Sequence, residues 1–376
     1  MQNIANIYII LSFFMYIISC SIIFMIVKDM IKSRTNKKLE KIRPSFEKDI
    51  LKQLEYIKDN KEISKIDIEY IREKLEKTVY IKVFNDTLKT FNKNHSNQKY
   101  TTLYMKNFED IVIMYVRKYK RKDNILKTYM STLLGEYRLS SYEISEFLLN
   151  CIDTKSIYLK VAALEAISKI GNIKTFEMAI ESISKDDKYI NNKIFTDIIN
   201  QFGGNKFLLD KFLIDNLRDF GENTQKVVIE HFKNNKTEFV KDELLKYLNE
   251  NINKEASISI IKYFSKIKYE KAKKKIIEFL NSKDWEYRAV CSTALGNYNC
   301  NESKMELLNS ISDTNWYVRY NSAKSILSFE DCDLIEAVLA KDDRYSKDIL
   351  FYAMFKNDKI SYEDYLEKSG KIEVAY

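Results

Sequence analysis

A short pattern near the C-terminus occurs twice at one spacing, and it restricts the fold more than any other feature. The first copy is Trp285, Tyr287, Arg288, Ala294 and Leu295; the second is Trp316, Val318, Arg319, Ser325 and Ile326. Trp to Trp, Arg to Arg, and Leu295 to Ile326 each span 31 residues. Both tryptophans of the protein therefore share one phase. The 376 residues include 7 Gly and 1 Pro, too few for the turns of a β-sandwich or an α/β enzyme. A fixed period in such a background means stacked helical units, none of which can bury its apolar face alone.

The period extends upstream. From about Ser140 the apolar spacing predicts helices in pairs. These are Glu143–Cys151 with Ile157–Ile170, Phe176–Ser184 with Ile190–Phe202, Phe207–Phe220 with Thr224–Phe232, and Phe239–Leu248 with Ala256–Ile267. Ala272–Leu280 with Trp285–Leu295, Met305–Ile311 with Trp316–Leu327, and Leu334–Leu339 with Tyr345–Phe355 continue the series. Apolar anchors in the second helices fall at Ile167, Ile199, Ile229, Ile261, Leu295 and Ile326, at intervals of 32, 30, 32, 34 and 31.

Three segments, Leu159–Ile167, Tyr287–Leu295 and Val318–Ile326, carry a V-R-x-x-A-x-x-A-L-like motif, with Lys160, Ala163, Ala166 and Ile167 matching Arg319, Ser322, Ser325 and Ile326. In these residues the chain resembles the HEAT-repeat family of armadillo-like helical proteins. Asp313 lies six residues before Arg319, the family's spacing for an Asp–Arg ladder between repeats, and Asp284 lies four before Arg288. The resemblance implies an all-α fold, an α-solenoid of helical hairpins. It also implies that the second helices line a surface for an extended partner. Trp285, Tyr287, Arg288, Trp316, Tyr317, Arg319 and Tyr320 are then the candidate partner-binding residues. Aromatic and Arg side chains dominate interface hot spots. Two other roles stay open for them: tryptophans filling gaps between units, and arginines held by carboxylates or loop carbonyls.

Ile7 to Val27 is a run of 21 residues without a charge. At about 1.5 Å per residue it matches the roughly 30 Å of a hydrocarbon core. A cleaved signal peptide would want a basic start and a small-residue cleavage site, and Met1 to Asn6 has no basic side chain. Ile17-Ile18-Ser19-Cys20 is a loose lipobox, but the apolar run continues past it. A retained transmembrane helix is the expectation. Lys28, Lys32, Arg34, Lys37, Lys38, Lys41 and Arg43 follow it, so the positive-inside rule predicts an outside N-terminus and a cytoplasmic domain. Lys28, Lys32, Arg34, Lys37 and Lys38 are also candidates for contact with anionic lipid heads.

The organisation expected is an extracytoplasmic 1–6, a membrane helix 7–27 and a basic juxtamembrane helix 28–44. An irregular helical region 45–137, a repeat array 138–360 and a cap 361–376 follow. Pro44 should break or kink the first helix, with Ser45 starting the next. Phe46, Ile50, Leu54 and Ile57 mark one helix, Ile63 to Leu75 another and Val79 to Leu88 a third. Asn92–Lys99 reads as a loop, Leu103–Tyr119 as one helix, and Ile125–Leu134 as a helix capped near Gly135.

Function classes are narrowed by what is missing. The net charge of +8 is spread among interleaved Lys and Glu, without the Arg stripe of a nucleic-acid binder. Five cysteines without C-x-x-C spacing give neither a disulfide framework nor a zinc site, and they suit a reducing compartment. His95 and His231 lack metal-pair spacing and read as ordinary surface or half-buried histidines. No G-x-x-x-x-G-K, G-x-G-x-x-G, H-E-x-x-H or G-x-S-x-G motif occurs, so no enzyme, cofactor, metal or small-molecule substrate is expected. The expected function is a membrane-anchored scaffold or adaptor for a protein partner, itself a membrane protein or membrane-associated complex. Ile-, Lys- and Asn-rich usage resembles that of an AT-rich bacterium. Resemblance to membrane-anchored HEAT-repeat proteins of such bacteria implies an accessory to glycosyltransferases of envelope polysaccharide synthesis. The alternative is a nucleic-acid or anionic-lipid binder acting through its basic surface, which salt would weaken steeply.

Overall fold

The computed structural model describes residues 2–184, 190–250 and 253–369. Regular structure among them is entirely helical, and the chain divides into two compact units, Met1–Cys151 and Ile152–Tyr376. Residues 370–376 of the expected C-terminal cap lie outside the described residues.

The first unit holds α1 (Gln2–Lys58), α2 (Lys65–Leu75), α3 (Thr78–Phe91), α4 (Gln98–Met105), α5 (Glu109–Tyr119), α6 (Asn124–Tyr137) and α7 (Tyr142–Ile152), whose last residue passes the unit boundary. α1 is 57 residues long, about 85 Å at helical rise. Its N-terminal part is long and apolar enough to cross a membrane, with a mean hydropathy of 1.9 and no burial over its most apolar stretch. Its C-terminal part buries Leu39, Phe46, Ile50 and Leu54 and packs on α3 and α4.

Three local expectations are corrected. α1 does not end at Pro44. Pro44 and Glu40 are both exposed, so water can serve the Glu40 carbonyl that loses its donor, and burial on either side holds the helix together. The single helix expected over Leu103–Tyr119 is two, α4 and α5, joined by a 3-10 turn at Lys106–Phe108. That turn inserts Phe108 between Phe84 and Tyr104, with ring centroids 5.7 and 5.1 Å apart. α6 runs through buried Gly135 to Tyr137, and its left-handed cap is Arg138 at φ 54°.

The second unit begins with α8 (Ile157–Ile170), α9 (Ile173–Ser184), α10 (Asn192–Asn200), α11 (Lys206–Asp215), α12 (Glu222–Asn235), α13 (Lys241–Glu250) and α14 (Lys254–Phe264). It continues through α15 (Glu270–Leu280), α16 (Trp285–Leu295), α17 (Asn301–Ser310), α18 (Trp316–Ser328), α19 (Cys332–Leu339), α20 (Arg344–Lys356) and α21 (Tyr362–Lys368). Starts are set by local chemistry. Asn191, Asn205, Asn253 and Asn315 accept amide hydrogens at the N-termini of α10, α11, α14 and α18. Ser361 and Asp364 form a capping box on α21.

The even-numbered helices α8 to α20 contact one another in series as one layer. In the odd-numbered layer α9 meets α11, and α13 to α19 run in series. This is a helical-repeat arrangement, each hairpin burying its apolar face on its neighbours. All six anchors, Ile167, Ile199, Ile229, Ile261, Leu295 and Ile326, are at most 1% exposed. The motif's small residues Ala163, Ala166, Ala294, Ser322 and Ser325 are buried beside them and let the even helices approach. The backbone passes close to itself just after α8 and α10. Gly171 takes φ +75°, and a Cβ there would sit 2.4 Å from the Gly204 nitrogen.

Candidate functional site

The shared phase of Trp285 and Trp316 puts each at the first residue of an even helix. Trp285 is 40% exposed and Trp316 43%. They do not stand alone. Trp285 stacks on Tyr317 of the next repeat, centroids 5.5 Å apart and planes 23° from parallel. Trp316 meets Tyr317 edge-on at 5.2 Å and stacks on Tyr320 at 5.0 Å. Tyr320 reaches Tyr352 of α20 at 5.7 Å, Tyr352 reaches Tyr365 at 5.9 Å, and Phe355 stacks on Tyr365 at 5.7 Å. One chain of touching rings thus crosses α16, α18, α20 and α21. Lys324 sits over Tyr320 and Lys356 over Tyr352, at 5.8 and 5.7 Å. Exposure falls along it, from exposed Trp285, Trp316 and Tyr317 through half-buried Tyr320, Tyr352 and Phe355 to Tyr365, which is buried.

Of the seven residues singled out in the sequence, Trp285, Trp316 and Tyr317 are exposed and Tyr320 is half-buried. Tyr287 faces inward at 5% exposure, against Phe279 at 4.7 Å, and burial raises its phenol. Arg288 grips Asp313 with two bonds, Nε to Oδ2 at 2.7 Å and Nη2 to Oδ1 at 2.9 Å, and donates through Nη1 to the Ser282 and Lys283 carbonyls. Arg319 donates to the Asp313 and Thr314 carbonyls at 2.8 and 3.0 Å and lies over the Tyr345 ring. The Asp313 carboxylate therefore serves Arg288 of the preceding repeat, while Arg319, six residues on, takes its backbone oxygen. Tyr287 and Arg288 serve the array rather than the surface. Lys28, Lys32, Arg34, Lys37 and Lys38 are all exposed along α1.

Sequence reasoning passed over the far half of the strip. Tyr352 carried a signal, since it lies 32 residues after Tyr320. Phe355, Tyr362 and Tyr365 belong to the end of the array and have no periodic counterpart. His231 is also corrected, because it is 4% exposed rather than on or near the surface. Its Nε2 meets Asp210 Oδ1 at 2.7 Å and its Nδ1 meets Asn200 Oδ1 at 2.6 Å, with Asn235 bonded to the same Asn200 oxygen. These partners satisfy both ring nitrogens inside the stack, which is what a buried imidazole needs. Cys300 is half-buried. Desolvation would raise its thiol, but the Ser303 hydroxyl and amide, with Lys273, outweigh it and hold the thiol below its usual range.

No protein-family model matches the chain, and no curated protein does. Among solved structures, the complex of CpcE and CpcF of phycocyanin lyase from Nostoc is 13% identical, with 68% of this chain and 92% of that one covered at a TM-score of 0.29. Human deoxyhypusine hydroxylase is 13% identical, with 78% and 96% covered at a TM-score of 0.28. An engineered protein is 14% identical, with 70% and 82% covered at 0.34. None of these overlays is close enough to transfer a role.

Proposed function

We propose that the chain is a single-pass membrane protein whose repeat array, of HEAT-like type, scaffolds a protein partner at the cytoplasmic face. The reading assigns α1 two jobs. Its apolar N-terminal part anchors, and the exposed Lys28, Lys32, Arg34, Lys37 and Lys38 meet the lipid surface and hold the N-terminus outside. The role is binding, not catalysis. The partner is a membrane protein or membrane-associated complex, and the look-alike family suggests a glycosyltransferase of envelope polysaccharide synthesis. The observation that carries docking is the exposed end of the ring strip, Trp285, Trp316 and Tyr317, because exposed aromatics anchored on a rigid stack make hot spots with little ordering to do.

Protease added to intact cells should leave residues 28–376 whole, and digestion from outside refutes the orientation. Cross-linking in native membranes should return one membrane partner with the parent and lose it with Trp285→Ala. Retention at physiological salt separates aromatic docking from the alternative of nucleic acid or lipid heads held by the basic surface, which salt would release.

A further inference from the structure

The Asp–Arg ladder stops one rung short. Arg288 and Arg319 hold the same pose one repeat apart. Nη1 of Arg288 donates to the Ser282 and Lys283 carbonyls, and Nη1 of Arg319 donates to those of Asp313 and Thr314, each 31 residues further on. The other edge of the guanidinium differs. In Arg288, Nε and Nη2 both donate to the Asp313 carboxylate of the next repeat. Asp343 holds the corresponding place for Arg319, since its Oδ1 accepts from the Tyr345 amide as Asp313 Oδ1 accepts from the Asn315 amide. Its Oδ2, however, is taken by the Ser346 hydroxyl. Trp316, the matching residue one repeat earlier, has no hydroxyl to compete with Arg288. Arg319 is therefore left without a carboxylate partner among the described residues. Its Nε is buried without an acceptor. Its Nη2 makes no hydrogen bond either, and it is not buried.

This guanidinium stands at the exposed end of the ring strip. Arg319 lies one turn after Trp316 on α18, and residues three apart are neighbours on a helix surface. Trp316 and Tyr317 are exposed, and so is Tyr345, whose ring lies 5.6 Å from the guanidinium. The acids around the site are engaged: Asp313 by Arg288, Asp284 and Glu286 by Lys254, and Asp343 by Ser346. Residues 341–344 are balanced, two basic and two acidic. We propose that Arg319 reads an acidic side chain of the docked protein. A partner segment lays an apolar or aromatic side chain on Trp316 and Tyr317, and its Asp or Glu carboxylate accepts from Arg319 Nη2. The inference rests on the scaffold reading and adds the partner's chemistry. Arg288 supplies the selectivity argument, because the same pose one repeat earlier holds a carboxylate.

The test pans a phage-displayed library of random peptides on the full chain held in digitonin. Binding of each selected peptide, made synthetically, is read by the fluorescence of Trp285 and Trp316, the protein's only tryptophans. Selected peptides should share an Asp or Glu close to an apolar or aromatic residue and should change that fluorescence. Replacing the shared acid by its amide should weaken binding to the parent about tenfold. Arg319→Gln should weaken the acidic peptide by about the same factor and leave the amide peptide unchanged, so the two losses do not add. Should Arg319→Gln lose its fold, the acid-to-amide comparison on the parent decides alone. Selected peptides with no shared acid would overturn the proposal and leave the docking surface standing. Displacement by inorganic phosphate but not by glutarate would also overturn it, giving Arg319 to a phosphate-bearing partner. Failure to select any peptide would overturn the docking surface and the role of Arg319 together.

Discussion

In the second unit a residue's partner is found by adding roughly one repeat to its number. Ser168 bonds Ile198, Asn321 bonds Ala289 and Ser325 bonds Ser292, at separations of 30, 32 and 33 residues. In the first unit the ties range widely, from 14 residues for Gln53 to Asp67 up to 52, and follow no interval. Tyr104 donates to Gln53 across 51 residues, Tyr137 to Asn85 across 52, and Arg43 pairs with Asp86 across 43. Regular spacing makes each repeat answerable only to its neighbours, so the array is a sum of local interfaces. The irregular unit instead closes around a few distant contacts.

The largest expected effect separates the two modes of assembly. Leu295→Asp or Ile326→Asp places an unpaired charge among residues 0% exposed, at a cost of at least about 4 kcal/mol. Because repeats couple only to neighbours, hydrogen exchange should rise first in α15 to α20 and leave α2 to α6 protected. Uniform loss of protection across both units, or none, would show that the division is wrong.

A smaller effect tests the ladder. Arg288 and Asp313 have side chains only 16% and 13% exposed, so Asp313→Ala should cost about 2 kcal/mol through the orphaned guanidinium. Asp313 also gives the array an acid limit. Burial is the largest influence on its carboxyl and opposes ionisation, but bonds from Arg288 and the Asn315 amide outweigh it and lower the pKa below 3.8. A lowered folded pKa means stabilisation that is complete above the unfolded value and lost as pH falls through the folded one. The second unit should therefore loosen below about pH 4, and less so in Asp313→Ala. Equal acid loss in parent and variant would take Asp313 out of the explanation.

How much of this the sequence held differs by region for the same reason. The anchors, the helix pairs and the phase of both tryptophans were readable because one period fixed them all. Side of the helix was readable too, had rotation been counted. Tyr287 is two residues after Trp285, about 200° round, and faces inward; Tyr320 is four after Trp316, about 40° round, and stacks on it. The Asn85–Tyr137 tie and the 3-10 turn that seats Phe108 depend on packing between segments with no common interval. No local pattern announces them. Pro44 misled because proline rules weigh a lost hydrogen bond and not the exposure of the carbonyl that loses it.

The smallest expected change in stability carries the most functional weight. Tyr317 is 56% exposed and Tyr320 half-buried, and both rings rest on tryptophans rather than on the core. Tyr317→Ala with Tyr320→Ala removes stacking worth about 0.5–1.5 kcal/mol per pair at most, much of it solvent-facing. In a unit of this size that lowers the melting temperature by only a few degrees, on the order of 2–4 °C per kcal/mol. Affinity for the partner recovered from native membranes should fall by at least about 2 kcal/mol, as it does when hot-spot aromatics are truncated. The two readouts separate the roles of the strip. If the rings only brace adjacent repeats, melting drops well beyond that range while affinity per folded molecule stays at the parent value, and the docking surface must lie elsewhere on the array.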